Sequence, residues 1–264
     1  MRTVDRTPRR GEMLKPGEMI DILGTSQLSL QDRKVYNLLV HNAFGPKMAE
    51  EGHEWQISLS KLRRSHKSND RVSDTIERLM KTVVTARLLN GKTRRFALLG
   101  GNDIDDEDRP DGVLNYSFDP RLTEVLKQSM SFGRLHMAVM MAFTSRYALA
   151  LYEHVAKRVR LDFKQSETYP VDQFRRILGV PEGTLERFSS LNQKAIKPAL
   201  EEVNALADFT CWAKPIKACR RTEEIELGWE LKSAEACEAA YQEVQRPRVG
   251  RRARIRGQVD SVAA

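Results

Sequence analysis

Apolar residues recur along this chain at helical spacing in some stretches and at strand spacing in others, and the order of those stretches occurs twice. In LSLQDRKVYNLLVHNAF, Leu30, Val35, Leu38 and Leu39 are available for a core, while Ser29 and Asp32 stand where a helix cap and first turn need acceptors. The pattern predicts a first helix. WQIS (55–58) is strand-like, LSKLRRSHK predicts a short helix, and NDRVSDTIERLMKTV predicts another starting at Asn69. In that last helix Val72, Ile76, Leu79, Met80 and Val83 share one face and Arg71, Thr75, Arg78 and Thr82 another. VTARLL and KTRRFALL then flank Asn90-Gly91, a strong hairpin-turn pair. A helix-turn-helix followed by a hairpin predicts a winged helix, with GVLNYSFDP as a further strand and RLTEVLKQ as a closing helix.

The order then restarts. TSRYALALYEHVAKRVRL places Ala148, Leu151, Tyr152, Val155 and Val159 on one face, and VDQFRRILG ends on Gly179, suited to the left-handed position after a helix. FTCWAKPIKACRR and TEEIELGWELK (209–232) predict the strands of a second wing. Between them SSLNQKAIKPALEEVNAL opens as a capping box, Ser190 with Gln193, yet carries Pro198 in its interior, where no N–H serves the Lys194 carbonyl. On a helical wheel Leu191, Ala195, Ile196, Ala199, Leu200 and Val203 cover one side and Gln193, Lys194, Lys197, Glu201 and Asn204 the other. Pro198 is expected to bend this helix and turn its first half outward. The expected class is α+β: a flexible arm over 1–26, winged-helix domains over 27–132 and 133–232, and a helix with a basic disordered tail over 233–264.

Charge adds a partner to this picture. A net charge of +8 and a pI near 9.5 favour a polyanion. Residues 246–264 carry six arginines against Asp260, whereas 102–112 carry six acidic residues against Arg109 and predict a surface loop turned away from phosphate. No apolar run is long enough to span a bilayer and no secretory signal opens the chain, so a cytoplasmic protein is expected. Cys211, Cys219 and Cys237 lack metal-ligand spacing, and reduced thiols are the expectation.

Enzymatic motifs fail on their chemistry. Gly91-Lys92-Thr93 resembles the end of a phosphate loop, but Ala86 stands where its first glycine is required. His41, His53, His66, His136 and His154 are isolated from one another, so a metal-assisted nicking site is missing its histidine pair. Tyr147 and Tyr152 lie on or beside an apolar helix face, which favours packing over nucleophilic chemistry. The expectation is a DNA binder without catalytic residues, metal or cofactor.

Three stretches together, SRYALALYEHVAKR (145–158), VDQFRRILGV (171–180) and AIKPALEEVN (195–204), resemble the initiator replication proteins of iteron-containing bacterial plasmids. In the last stretch Lys197, Pro198, Ala199, Glu202, Val203 and Asn204 match that family, with valine in place of its usual isoleucine. The resemblance covers the second unit best; the first matches mainly in layout. It implies two winged-helix domains that bind repeated origin sequences as a monomer, dimers that repress the protein's own gene, and contacts with the host initiator ATPase and replicative helicase. It also implies that the first domain contributes to dimerisation.

The candidate DNA contacts are Gln193, Lys194 and Lys197 on the second recognition helix, and Arg71, Thr75 and Arg78 on the first. Arg94, Arg95, Lys214, Lys217, Arg220 and Arg221 on the wings and Arg251, Arg252 and Arg254 in the tail are candidates for phosphate. The competing readings are a solvated helix face for the recognition residues, a merely solubilising tail, and a winged-helix repressor without origin activity.

Overall fold

The computed structural model describes residues 1–65, 71–88, 91–106, 109, 111–219 and 221–258, and the chain divides into two units, Met1–Leu135 and His136–Ala264. In the first unit β1 (Glu12–Pro16) and α1 (Gly17–Ile20) precede α2 (Leu30–Ala43), β2 (Trp55–Ser58), α3 (Leu59–Ser65) and α4 (Val72–Lys81). The hairpin β3 (Val83–Arg87) and β4 (Thr93–Ala97) follows, then β5 (Asn102–Ile104), β6 (Val113–Tyr116), α5 (Pro120–Lys127) and β7 (Phe132–His136). This is the winged-helix order. Asn90, the first residue of the expected turn, lies outside the described residues, and Gly91 has a φ of 79°.

The start of α2 is set locally. Asp32 N donates to Ser29 Oγ at 3.1 Å and Ser29 N donates to the Asp32 carboxylate at 2.9 Å, so the cap expected from sequence is a reciprocal box. Val35 and Leu39 of this helix are buried, while Leu30 and Leu38 are half-buried. Strand β2 pairs with β6, matching Trp55 with Tyr116 and Ile57 with Leu114, and the β3–β4 wing forms a separate two-stranded sheet.

The amino-terminal residues are not a free arm. Strand β1 pairs with β7 and is buried along its length, Thr3 N donates to Ser129 O at 2.7 Å, and Lys15 Nζ donates to Asn37 Oδ1 at 2.9 Å. Leu23 and Thr85 exchange backbone hydrogen bonds, and the turn beside them needs a glycine: Gly24 has a φ of 100°, and a Cβ there would sit 2.8 Å from Val83 O. Apolar Met13 and Leu14 explain the packing.

The second unit consists of α6 (Met137–Ala142), α7 (Arg146–Ala156), β8 (Ser166–Pro170), α8 (Val171–Leu178), α9 (Phe188–Leu191) and α10 (Lys197–Leu206). It continues through β9 (Phe209–Ala218), β10 (Arg221–Leu231), α11 (Ala234–Gln245) and α12 (Arg251–Ile255). All five apolar residues expected on the face of α7 are buried, and Gly179 ends α8 in the left-handed conformation. Here β8, β10 and β9 form one sheet in that order. Gly228 of β10 faces Trp212 of β9, and a Cβ on it would lie 2.2 Å from Trp212 Cε2.

Two expectations about the tail are corrected. Within the tail Arg251–Ile255 form α12, which carries three of the six arginines, and Arg251 is only 3% exposed. Arg251 donates to Ala142 O at 2.8 Å, and both Arg251 and Arg254 donate to the Glu243 carboxylate of α11. Burial works against the charged form of Glu243, but the hydrogen bonds and charge of Arg254 and Arg251 outweigh it and hold the carboxyl below its ordinary range.

His154 on α7 is buried, and its Nε2 lies 2.9 Å from Tyr169 Oη. Desolvation, then the charges of Arg158 and Lys157, push this histidine well below its ordinary value of 6.5, so it is neutral in the folded unit. An unfolded chain binds a proton there below pH 6.5, which makes stability fall as the pH is lowered through that value, with a slope of at most about 1.4 kcal/mol per pH unit. Thermal unfolding of the parent between pH 7.5 and 5 should show this loss, and His154→Gln should flatten it. In the same assay Gly228→Ala should cost about 2 kcal/mol or more by overpacking against Trp212.

Candidate nucleic-acid interface

The second recognition segment is helical from residue 188 to 206, but not as expected at its start or its middle. Leu191 N already donates to Arg187 O, so the helix begins at Phe188 and Ser190 lies inside its first turn instead of capping it. In the middle, Asn192–Ile196 form a π turn in which Lys197 N donates to Asn192 O. Pro198 explains the widening. In a regular α-helix its ring would press on the Lys194 carbonyl, and one extra residue per turn carries that carbonyl out of the way.

The two sides of this segment differ sharply. Leu191, Ala195, Ile196, Ala199 and Val203 are buried and Leu200 is half-buried, while Gln193, Lys194 and Lys197 are exposed. The first carboxylate after them, Glu201, accepts from Arg256 at 3.1 Å. The exposed half therefore presents an amide and two ammonium groups, donors suited to base edges and phosphates.

Other family-matching residues hold this helix in place. Glu202 is buried and accepts from Thr144 N at 2.7 Å, Thr144 Oγ1 at 2.8 Å and Ser145 N at 3.2 Å, the donors that open α7. Asn204, expected on the polar face, pairs with the Cys211 backbone of β9, accepting from its N at 2.8 Å and donating to its O at 2.9 Å. From α8, Arg175 donates to the carbonyls of Thr184 and Leu185 in the turn before the helix, where Leu185 has a φ of 51°. Tyr152 is fully buried and its Oη accepts from His136 N at 2.9 Å; burial first, opposed by that hydrogen bond, pushes its phenol above the ordinary range.

The first recognition helix presents less. Arg71 is exposed, but Thr75 is fully buried and Arg78 donates to both carboxylate oxygens of buried Asp32 at 2.8 to 3.2 Å. Arg78 also donates to Thr75 Oγ1 at 3.1 Å. Thr75 and Arg78 thus join α4 to α2 within the unit. Asp70, Asn69 and the other residues of 66–70 lie outside the described residues.

On the wings Arg95, Lys214, Lys217 and Arg221 are exposed and Arg94 is half-buried, donating to Arg121 O at 3.4 Å. Arg220 lies outside the described residues, and Lys214 stands opposite Glu226 in the β9–β10 register. In the tail Arg252 is exposed whereas Arg251 and Arg254 are engaged with Glu243. Two cations that the sequence pattern did not single out, Arg146 and Arg248, line a cleft with Lys194. Their approach depends on the folded tail, for which local patterning held no signal.

Among the described residues no group of three potential ligands is placed to hold a metal ion, and no helix is long and apolar enough to cross a membrane. Burial raises the Cys211 thiol to about 12 despite Lys232 nearby, whereas Cys219 is exposed at the second wing.

Residues 15–156 match the model described as initiator replication protein, WH1, and residues 170–229 match the model for the WH2 part of the same proteins. The first match ends with α7, although α7 packs within the second unit. A crystal structure of the Pi initiator protein in complex with iteron DNA is similar in fold, with a TM-score of 0.63 and 13% identity, covering 86% of this chain and 100% of that one. A structure of domains 2 and 3 of RctB gives a TM-score of 0.45 and 11% identity over 76% of this chain and 82% of that one. No protein with a curated description matches in sequence.

If Arg78 is the partner of a buried carboxylate, Arg78→Ala should lower the stability of the first unit by roughly 1 to 3 kcal/mol, while Arg71→Ala leaves it unchanged. Chemical denaturation of the two variants compares them directly. Equal midpoints would show that Arg78 is dispensable to the fold.

Proposed function

The chain belongs to the initiator replication protein family, and we propose that it is a plasmid replication initiator that binds direct repeats at its origin. The observation that carries this reading is the exposed row of Gln193, Lys194 and Lys197 on a helix whose opposite side is buried in a winged-helix unit. A helix in this position enters the major groove with its amino-terminal half, where an amide suits adenine and an ammonium suits guanine or phosphate. On the first recognition helix the exposed Arg71 would contact DNA. Arg94, Arg95, Lys214, Lys217 and Arg221 would take phosphates, which position the protein without reading sequence.

The iteron complex of the similarly folded Pi protein supports the choice of DNA as partner. Opening of the adjacent duplex, recruitment of the host initiator ATPase and helicase, and repression of its own gene by a dimer complete the proposed role, on the family resemblance. Such a protein would work in the bacterial cytoplasm with no cofactor and no catalytic residue.

Footprinting of the parent on DNA flanking its own gene should show evenly spaced protection of direct repeats, whereas one protected inverted repeat over the promoter would favour a repressor. Lys197→Ala should either relax one base preference at about 1 to 3 kcal/mol or weaken all sequences alike and reduce the salt slope by about 0.9. Unchanged binding by the variant would remove Lys197 from the interface.

A further inference from the structure

The cleft beside the second recognition segment has a volume of about 500 Å³ and is walled by the start of α7, the recognition segment and the tail. Five cations line it, Arg146, Lys194, Arg248, Arg251 and Arg252, against two carboxylates, Glu201 and Glu202. Glu201 is paired with the Arg256 guanidinium and Arg251 with Glu243, while the donors to Glu202, Thr144 and Ser145, are neutral and do not offset its charge, so Arg146, Lys194, Arg248 and Arg252 stand against Glu202. The cleft is left with an excess of positive charge. Lys194 belongs both to it and to the exposed row of the recognition helix, so the two surfaces are continuous.

The tail arginines fall into two groups. Arg251 and Arg254 are buried side chains, 4% and 7% exposed, that clamp α12 onto Glu243, Arg246 pairs with the same carboxylate at 3.5 Å, and Arg256 ties the end of the tail to Glu201. Arg248 and Arg252 remain exposed; Arg248 reaches the Met141 carbonyl, a neutral acceptor that leaves its charge uncompensated. A clamped segment presents its charges with less ordering cost than a disordered one. The family match ends at Trp229, so this element lies outside the matched part of the chain.

We infer that Arg248 and Arg252 form a phosphate-binding clamp that extends the recognition helix's surface along the duplex backbone, with Arg251 and Arg254 as the positioning residues that build it. In a duplex seated on Gln193, Lys194 and Lys197, one phosphate strand flanks the groove beside Lys194. The clamp meets that strand. It adds affinity for any sequence, because phosphates carry no base information. This inference rests on the proposed DNA-binding role.

The test is the salt dependence of binding by the full chain and by Arg248→Ala/Arg252→Ala, on direct-repeat DNA from beside its own gene and on an unrelated duplex of equal length. The expected result is a salt slope smaller by about 0.9 per arginine, about 1.8 in all, on both duplexes, with an unchanged unfolding midpoint. If the double variant is less stable than the parent, Arg252→Ala alone, an exposed position, should still lose about 0.9. Unaltered slopes on both duplexes would overturn the clamp while leaving the repeat-binding role intact. Loss of slope with no preference for repeats in the parent would keep the clamp and remove the proposed role. No binding to either duplex would end both.

Discussion

In each unit a buried carboxylate joins the helix in the recognition position, α4 or α10, to an earlier helix, α2 or α7, and so sets one against the other. In the first unit the carboxylate is Asp32, in the opening turn of α2, accepting from Ser29 N and from Arg78 of α4. In the second it is Glu202 of α10, accepting from the donors that open α7. The direction of the join is reversed, but the physics is the same. The opening of a helix has N–H groups without intrahelical partners, and a carboxylate there is favoured by those donors and by the helix dipole. Such an acid, once buried, is costly to leave unpaired, so it holds two helices at one separation.

That constraint divides the cations of a chain with a net charge of +8 into those that build and those that remain outside. Arg78, Arg175, Arg251 and Arg254 each donate to carbonyls or carboxylates within their own unit. Lys194, Lys197, Lys214, Lys217 and Arg252 are exposed. Net charge alone does not tell the two apart, because a guanidinium that closes a helix-helix joint counts the same as one facing solvent. Arginine dominates the first group for a physical reason: its planar fork can satisfy several acceptors at once.

How much was legible in the sequence follows the range of the interaction that decides each feature. The Ser29 cap, the Gly179 helix end, the apolar face of α7 and the wing strands depend on residues close in sequence or on simple periodicity, and the pattern predicts them. The burial of β1 depends on pairing with β7, more than a hundred residues away, so a charged opening stretch reads as a loose arm. Arg78 reads as a surface arginine because its partner Asp32 lies 46 residues earlier. Arg251 and Arg254 read as a disordered tail because their partner Glu243 lies outside the basic stretch 246–264. For the candidate interface, the exposed Gln193, Lys194 and Lys197 were readable from the wheel, whereas the cleft beside them needed the tail in place.

The π turn before Pro198 separates most of the residues that carry the sequence resemblance from the residues that the helix exposes. Lys197-Pro198-Ala199 and Glu202-Val203-Asn204 carry the sequence resemblance, yet Pro198 sets the turn, Ala199 and Val203 pack, Glu202 holds α7 and Asn204 holds β9. Of the six, Lys197 alone projects from the exposed row. Gln193 and Lys194 stand on the π turn itself and are exposed, while Glu202 and Asn204 anchor the helix that follows it. A motif of this kind constrains where side chains are presented more tightly than which side chains they are. Substitution at the exposed positions 193 and 194 leaves the packed side of the helix undisturbed, so under the proposed role what the helix reads can change while the fold that presents it does not.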